Sequence, residues 1–174
     1  TMTRVAEALD TLQNLVSIPP VSTLADAFDQ AGFELALVGG PVRDAFLGQQ
    51  VHDLDFTTSA TPDQIEALVS PLADATRDVG RAFGTIAARF GEHTIEITTY
   101  RADSYDGQSR KPTVEFGDNL DDDLVRRDFT VNAMAVRVPG VVLVDPHGGL
   151  HDLTEGILRT PSSPEVSFAD DPLR

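Results

Sequence analysis

Residues 36–58 read ALVGGPVRDAFLGQQVHDLDFTT, and the rest of the chain is organised around them. The apolar run from Leu35 to Val38 breaks at Gly39-Gly40, a helix-like stretch follows, and then Asp53 and Asp55 alternate with Leu54 and Phe56. Gly39 and Gly40 have no side chains, so another group can come close to their backbone donors. Pro41 suits the first turn of a helix, where its missing N–H would have no partner anyway. A glycine turn leading into a helix is a ready anion site, and phosphate is the usual anion. In Asp-Leu-Asp the strand period of two places both carboxylates on one face and the apolar neighbours on the other. Two carboxylates side by side repel unless a cation separates them. Hard oxygen ligands of this kind suit Mg²⁺, which also takes oxygens from substrate phosphates. Each piece alone is commonly a tight turn or a solvated strand face. Their succession points to a phosphate cradle beside a divalent-metal site.

Composition narrows the field. A chain of 174 residues, 41% of them apolar, can build one soluble domain with a real core. No apolar run approaches the roughly 18 residues of a membrane-spanning helix, and no secretory signal is visible. The absence of cysteine excludes disulfides and thiolate metal sites and agrees with a cytoplasmic location. The net charge of -15 is unusual for a protein that grips nucleic acid, because affinity for RNA comes largely from neutralised phosphates. An RNA enzyme with this sequence is therefore expected to carry its RNA-gripping surface elsewhere.

Along the chain, Val5, Leu9, Leu12, Leu15 and Val16 predict an amphipathic helix over 3–17, stopped by Pro19-Pro20. A second helix, about Ser22 to Ala31, ends at Gly32. Thr61-Pro62-Asp63-Gln64 carries an N-cap, a proline at the first helical position and Gln at the third, and opens a helix to about Val69. Thr85–Phe90 and Thr94–Tyr100 alternate as strands on either side of Gly91. The polar stretch 101–113 reads as a mobile loop whose Arg110-Lys111 pair is solvated surface or, less strongly, a primer contact. Residues 119–127 read as a helix, Val131–Val138 and Val141–Val144 as strands, and 150–158 as a short helix followed by a strand. The tail from Ser162 begins a further helix.

Three other groups of residues carry chemistry. Glu96, flanked by Ile95 and Ile97, points away from the core; beside the Asp53/Asp55 strand it would be a third carboxylate for two-metal phosphoryl transfer. RRDFTVNAMA, Arg126 to Ala135, supplies two guanidinium groups suited to paired hydrogen bonds with phosphate. An equally good reading makes Arg126 and Arg127 a helix C-terminal cap. DPHGGLHDL, Asp145 to Leu153, has a Gly-Gly turn; its two histidines lack the spacing of a helical zinc site. Asp171 and Arg174 stand three apart, as in a plain surface ion pair.

In order, LVGGPVRDAFLG with DLD, RRDFTVNAMA, DPHGGLHDL and FADDPLR resemble motifs A to D of the class II nucleotidyltransferases. That group contains the CCA-adding tRNA nucleotidyltransferases and the bacterial poly(A) polymerases, and the resemblance runs from about Leu37 to Arg174. It implies that Asp53 and Asp55 hold catalytic Mg²⁺ and that Glu96 helps activate a primer 3′-hydroxyl. It implies that Gly39, Gly40, Arg43, Arg127, Asp128 and Asn132 bind the nucleotide, with Asp44 bracing the motif. It assigns base recognition of CTP or ATP to Asp171 and Arg174. Asp170 replaces the usual Glu of that element, and Pro41 replaces a smaller residue. Gly80-Arg81-Ala82-Phe83-Gly84-Thr85 resembles the G-x-x-x-G-T segment of CCA-adding enzymes more than the basic stretch of the poly(A) polymerases.

The resulting expectation is an α/β (α+β) polymerase-β-like head over residues 1–160, with a mixed sheet of about five strands backed by helices. A neck domain would begin over 161–174. Its partners would be the tRNA 3′ end with CTP and ATP, its cofactor Mg²⁺, and its location the cytoplasm. The competing expectations are a poly(A) polymerase and a head that binds nucleotide without turning it over.

Overall fold

A computed structural model describes residues 2–51, 53–102 and 115–162. The chain begins with two helices, α1 (Met2–Ser17) and α2 (Val21–Gln30). Gly32 follows α2 with φ +82°, and its amide and that of Phe33 return to the carbonyls of Asp29 and Phe28. Glycine makes that left-handed step without a Cβ penalty, which closes the helix. Then come β1 (Leu35–Val38), α3 (Gly40–Phe46), β2 (Asp53–Thr58) and α4 (Pro62–Val69). The expected capping box is present: Thr61 Oγ1 accepts from the Gln64 amide, and Gln64 Oε1 accepts from the Thr61 amide. The strands β3 (Ala75–Gly80), β4 (Thr85–Phe90) and β5 (His93–Thr99) form a meander. After α5 (Leu120–Val125), β6 (Ala135–Val138) and β7 (Val142–Val144), helix α6 (Gly149–Glu155) follows.

All seven strands form one sheet in the order β3-β4-β5-β2-β1-β6-β7. Only the central pair, β2 with β5, is parallel; its register places Asp53 opposite Thr94 and Asp55 opposite Glu96. The seven strands exceed the five or so expected. The strand missing from the sequence reading is β3, ATRDVG, which is largely exposed and has no apolar alternation. Backbone pairing to β4 holds it, and pairing leaves no mark on the hydrophobic pattern. Two other expectations are corrected. Residues 131–134 do not begin a strand: Thr130–Asn132 form a 3-10 turn, and β6 starts at Ala135. Among the described residues no strand follows α6, and Leu158 is exposed there and unpaired to the sheet.

The sheet has unlike faces. Leu35, Leu37, Leu54, Phe56, Ile86, Ile95 and Ile97 pack on one side against α1, α2, α3 and α4, giving the main core. Each such side chain, fully buried, is worth about 1.5–3 kcal/mol of transfer free energy. On the other face, Leu120 and Leu124 of α5 form a smaller cluster with Ala36, Val38, Tyr100, Ala133 and Ala135, against which Val144 packs. The strand alternation puts Asp53, Asp55 and Glu96 on this second face, beyond the cover of α5. There the fold leaves an open floor. The loop expected over 101–113 lies outside the described residues from 103 onward, and the neck expected over 161–174 does so from 163 onward.

Candidate active site

The antiparallel register of β1 and β2, with Leu37 opposite Phe56, carries Gly39-Gly40 alongside the Asp53 end of β2. The turn and the carboxylates are thus brought together by strand pairing, which their separation in sequence could not ensure. Gly39 has φ +71° and ψ -135°, a backbone region that suits glycine. Its carbonyl accepts from the amides of Val42 and Arg43, starting α3. The Cβ that a larger residue would carry at Gly39 would stand 3.5 Å from Arg127 Nη1, and one at Gly40 would stand 3.5 Å from Arg43 Nη2. Two guanidinium groups therefore crowd the turn.

Both are held in place. Arg43 donates from Nη1 to Asn132 Oδ1 at 2.7 Å and from Nε to Asp44 Oδ1 at 3.0 Å. Asn132 donates in turn to Asp128 Oδ1 at 3.0 Å, which also accepts from the Phe129 amide at 2.7 Å. Asp44 and Asn132 thus hold Arg43 directly, and Asp128 acts on it through Asn132. The 3-10 turn at Thr130–Asn132 makes this possible, because it aims Asn132 at α3 where a strand would have aimed it along the sheet.

Arg127 is fixed by a residue that sequence reasoning did not single out. Asp123 is fully buried and accepts from Arg127 Nη2 at 2.9 Å and from the Arg101 amide at 3.1 Å. Arg126 lies 3.5 Å from the same carboxylate. The i,i+4 spacing of Asp123 and Arg127 was a usable signal, but it was hidden in the run Asp121-Asp122-Asp123, which reads as helix N-terminal charge. Arg127 Nε is buried without a hydrogen-bond partner among the described residues, and the side chain keeps Nη1 beside Gly39. A charged donor left in that state favours a bound anion.

Across β2 the electrostatics change sign. The Asp55 carboxylate reaches solvent, yet burial by the surrounding protein raises its pKa above the ordinary carboxylate value. Glu96 and Asp53 raise it further, and Arg127 opposes them. This is the signature of like charges gathered on one face. Among the described residues no three Asp, Glu or His side chains converge closely enough to cage a cation unaided. Mg²⁺ does not need such a cage, since it commonly takes one or two carboxylates and fills its octahedron with water and substrate phosphate. Asp53 and Asp55, with Glu96 one strand away, fit that mode of binding.

The DPHGGLHDL segment is structural. Asp145 accepts from the amides of Gly149 and Leu150 at 2.7 and 3.0 Å, and buried Asp152 accepts from Thr130 Oγ1 at 2.7 Å. It fastens α6 beneath the turn that carries Asn132. Asp171 and Arg174, the expected base readers, lie outside the described residues.

Residues 35–159 match the family described as the poly(A) polymerase head domain. The chain belongs to that family. This head domain is similar to the CCA-adding enzyme of Lactobacillus helveticus, with 42% identity over 91% of the chain and 38% of the relative. It is also 41% identical to the CCA-adding enzyme of Bacillus subtilis, over 83% of the chain and 36% of that protein. Among solved structures, the Bacillus stearothermophilus CCA-adding enzyme in complex with CTP superposes with TM-score 0.75 and 33% identity, covering 90% of this chain and 37% of that one. A tRNA nucleotidyltransferase complexed with primer tRNA and an incoming ATP analog gives TM-score 0.69 at 31% identity, covering 86% and 41%. The head domain therefore spans well under half the length of these relatives.

Proposed function

We propose that this head domain catalyses nucleotide transfer from CTP and ATP to the 3′ end of tRNA, building CCA and releasing pyrophosphate. The observation that carries the reading is the register of β2 on β5, which sets Glu96 opposite Asp55 on the open face, next to the Gly39-Gly40 turn. In the reaction the primer 3′-oxygen bonds to the α-phosphorus as the bond from that phosphorus to the bridging β-phosphate oxygen breaks. The hydroxyl proton passes to solvent or to a carboxylate of the site, and pyrophosphate carries away the leaving electron pair.

Asp53 and Asp55 would hold Mg²⁺, which when bound neutralises charge on the phosphates and lowers the pKa of the primer hydroxyl. Glu96, across from Asp55, orients the primer side of the site. Arg127 and Arg43, with the backbone of Gly39 and Gly40, receive the triphosphate, and Asp128 and Asn132 keep Arg43 aimed at it. Positioning and electrostatic stabilisation supply most of the rate in this chemistry. Base selection is assigned to Asp171 and Arg174. CCA addition is favoured over poly(A) synthesis by the Gly80–Thr85 segment and by the names of the relatives aligned above.

The test is an incorporation assay with Mg²⁺, tRNA lacking its terminal CCA, and labelled CTP or ATP. It is run on this chain and on a chimera joining it to the remainder of the Bacillus subtilis relative. Addition of two C and one A by the chimera is the expected result. A long A tail without C would reassign the head to poly(A) synthesis. Nucleotide binding without incorporation by either protein would leave a binding module.

A further inference from the structure

The open face continues past the carboxylates onto β4 and β3. Arg89 is opposite Thr94, which is itself opposite Asp53; Arg77 is opposite Ala87, which is opposite Glu96. Strand pairing thus puts both arginines on the carboxylate face and at the same end of the sheet. With strands about 4.8 Å apart, Arg89 is anchored about 10 Å from Asp53 and Arg77 about 14 Å from Asp55. Both are exposed, and neither has an ion-pair partner among the described residues. That is unusual here. In a chain with 28 acidic residues, Arg43, Arg81, Arg126, Arg127, Arg137 and Arg159 all meet carboxylates.

Direction follows from the proposed reaction, on which this inference rests. In phosphoryl transfer the attacking and leaving oxygens lie roughly in line. The leaving pyrophosphate belongs on the side of Gly39, Arg43 and Arg127, over β1 and β6. The attacking 3′-oxygen must then arrive from the other side of Asp53 and Asp55, over β5 and β4. The RNA strand behind that oxygen would pass over β4 and β3. We infer that Arg89 and Arg77 form a phosphate rail for the primer strand, Arg89 holding a phosphate close to the reacting end and Arg77 one further back. The rail gives an otherwise acidic head a local grip where the primer enters. The competing explanation is that arginines on and beside the edge strand β3 only deter edge-to-edge aggregation.

The experiment measures binding of a fluorescent hairpin RNA with an unpaired 3′ end, by anisotropy, across a series of KCl concentrations. The proteins are the wild-type chain, Arg77→Gln, Arg89→Gln, the double variant, and Arg4→Gln on α1 as the control on the opposite layer. Each rail substitution is expected to weaken binding roughly three- to tenfold and to flatten the log–log salt slope by about 0.7–0.9. CTP binding, followed separately, should not change. Wild-type chain that binds no RNA, or a double variant that matches Arg4→Gln in affinity and slope, overturns the rail. In the chimera the same pair should raise KM for primer while KM for CTP stays fixed. Normal incorporation with an unchanged primer KM refutes the rail and leaves the enzyme standing. Absent incorporation with an arginine-dependent salt slope refutes the enzyme reading instead.

Discussion

Replacing Asp55 with Asn removes a charge that the head domain accommodates poorly without a cation. In wild type, burial and the carboxylates of Glu96 and Asp53 all disfavour the ionised form, and only Arg127 favours it. Like charges directly opposite in a sheet cost roughly 0.2–1 kcal/mol, and Glu96 stands directly opposite. Because Asp55 reaches solvent, screening keeps the total near the upper end of that range, about 1 kcal/mol. For a chain of this size that corresponds to a Tm about 2–4 °C higher for Asp55→Asn at neutral pH in EDTA. The sign with pH follows from linkage. The folded pKa lies above the unfolded one, so the folded state binds more protons between them and wild-type stability falls as pH rises through that window. The advantage of the variant is therefore present above the raised folded pKa and fades as pH drops toward the ordinary carboxylate value. Adding Mg²⁺ should reverse the order, since only wild type gains the binding linkage of about RT ln(1 + [Mg²⁺]/Kd). Incorporation by the chimera should fall by at least about 10²–10³-fold. The assay is differential scanning fluorimetry over pH, with EDTA or Mg²⁺. A variant that melts lower than wild type in EDTA, or gains as much from Mg²⁺, refutes the reasoning.

Other perturbations probe the frame around the site. At Gly149 an added Cβ would lie 2.2 Å from the Thr130 carbonyl oxygen and 2.9 Å from Met134 Cγ; Gly149→Ala should cost about 1–3 kcal/mol or more in urea denaturation, with an unchanged m-value. Asp123→Ala leaves Arg126 and Arg127 without their buried carboxylate, so about 3–5 kcal/mol of stability should be lost, and partially folded protein should bind CTP more weakly in calorimetry. Thr61→Ala dismantles the capping box of α4; about 1 kcal/mol and a few degrees of Tm should go, with CTP affinity unchanged.

Much of the fold was legible because local chemistry and tertiary structure agreed. The Thr61 box, the Gly32 stop and the alternation through Thr85–Phe90 and Thr94–Tyr100 each specify an element from neighbouring residues alone. Where a segment is held by partners distant in sequence, the pattern was silent or misleading. The β3 strand has no buried face to write into its sequence. Val131 to Met134 is apolar enough for a strand yet folds as a turn, because Thr130 bonds to Asp152 and its amide to the Arg159 carbonyl.

The sequence by itself determined the chemical types of the site: a glycine turn before a helix, paired aspartates at strand spacing, a lone strand glutamate, and arginines suited to phosphate. These are properties of residue identity and short-range periodicity, which need no distant partner. Only the tertiary structure decided that Glu96 meets Asp55, that Asp123 holds Arg127 beside Gly39, and that Arg77 and Arg89 share the carboxylate face. The physical reason is strand register. A one-residue slip of β5 against β2 would send Glu96 into the core and the isoleucines to the open face, and burial of Ile95 and Ile97 forbids that slip.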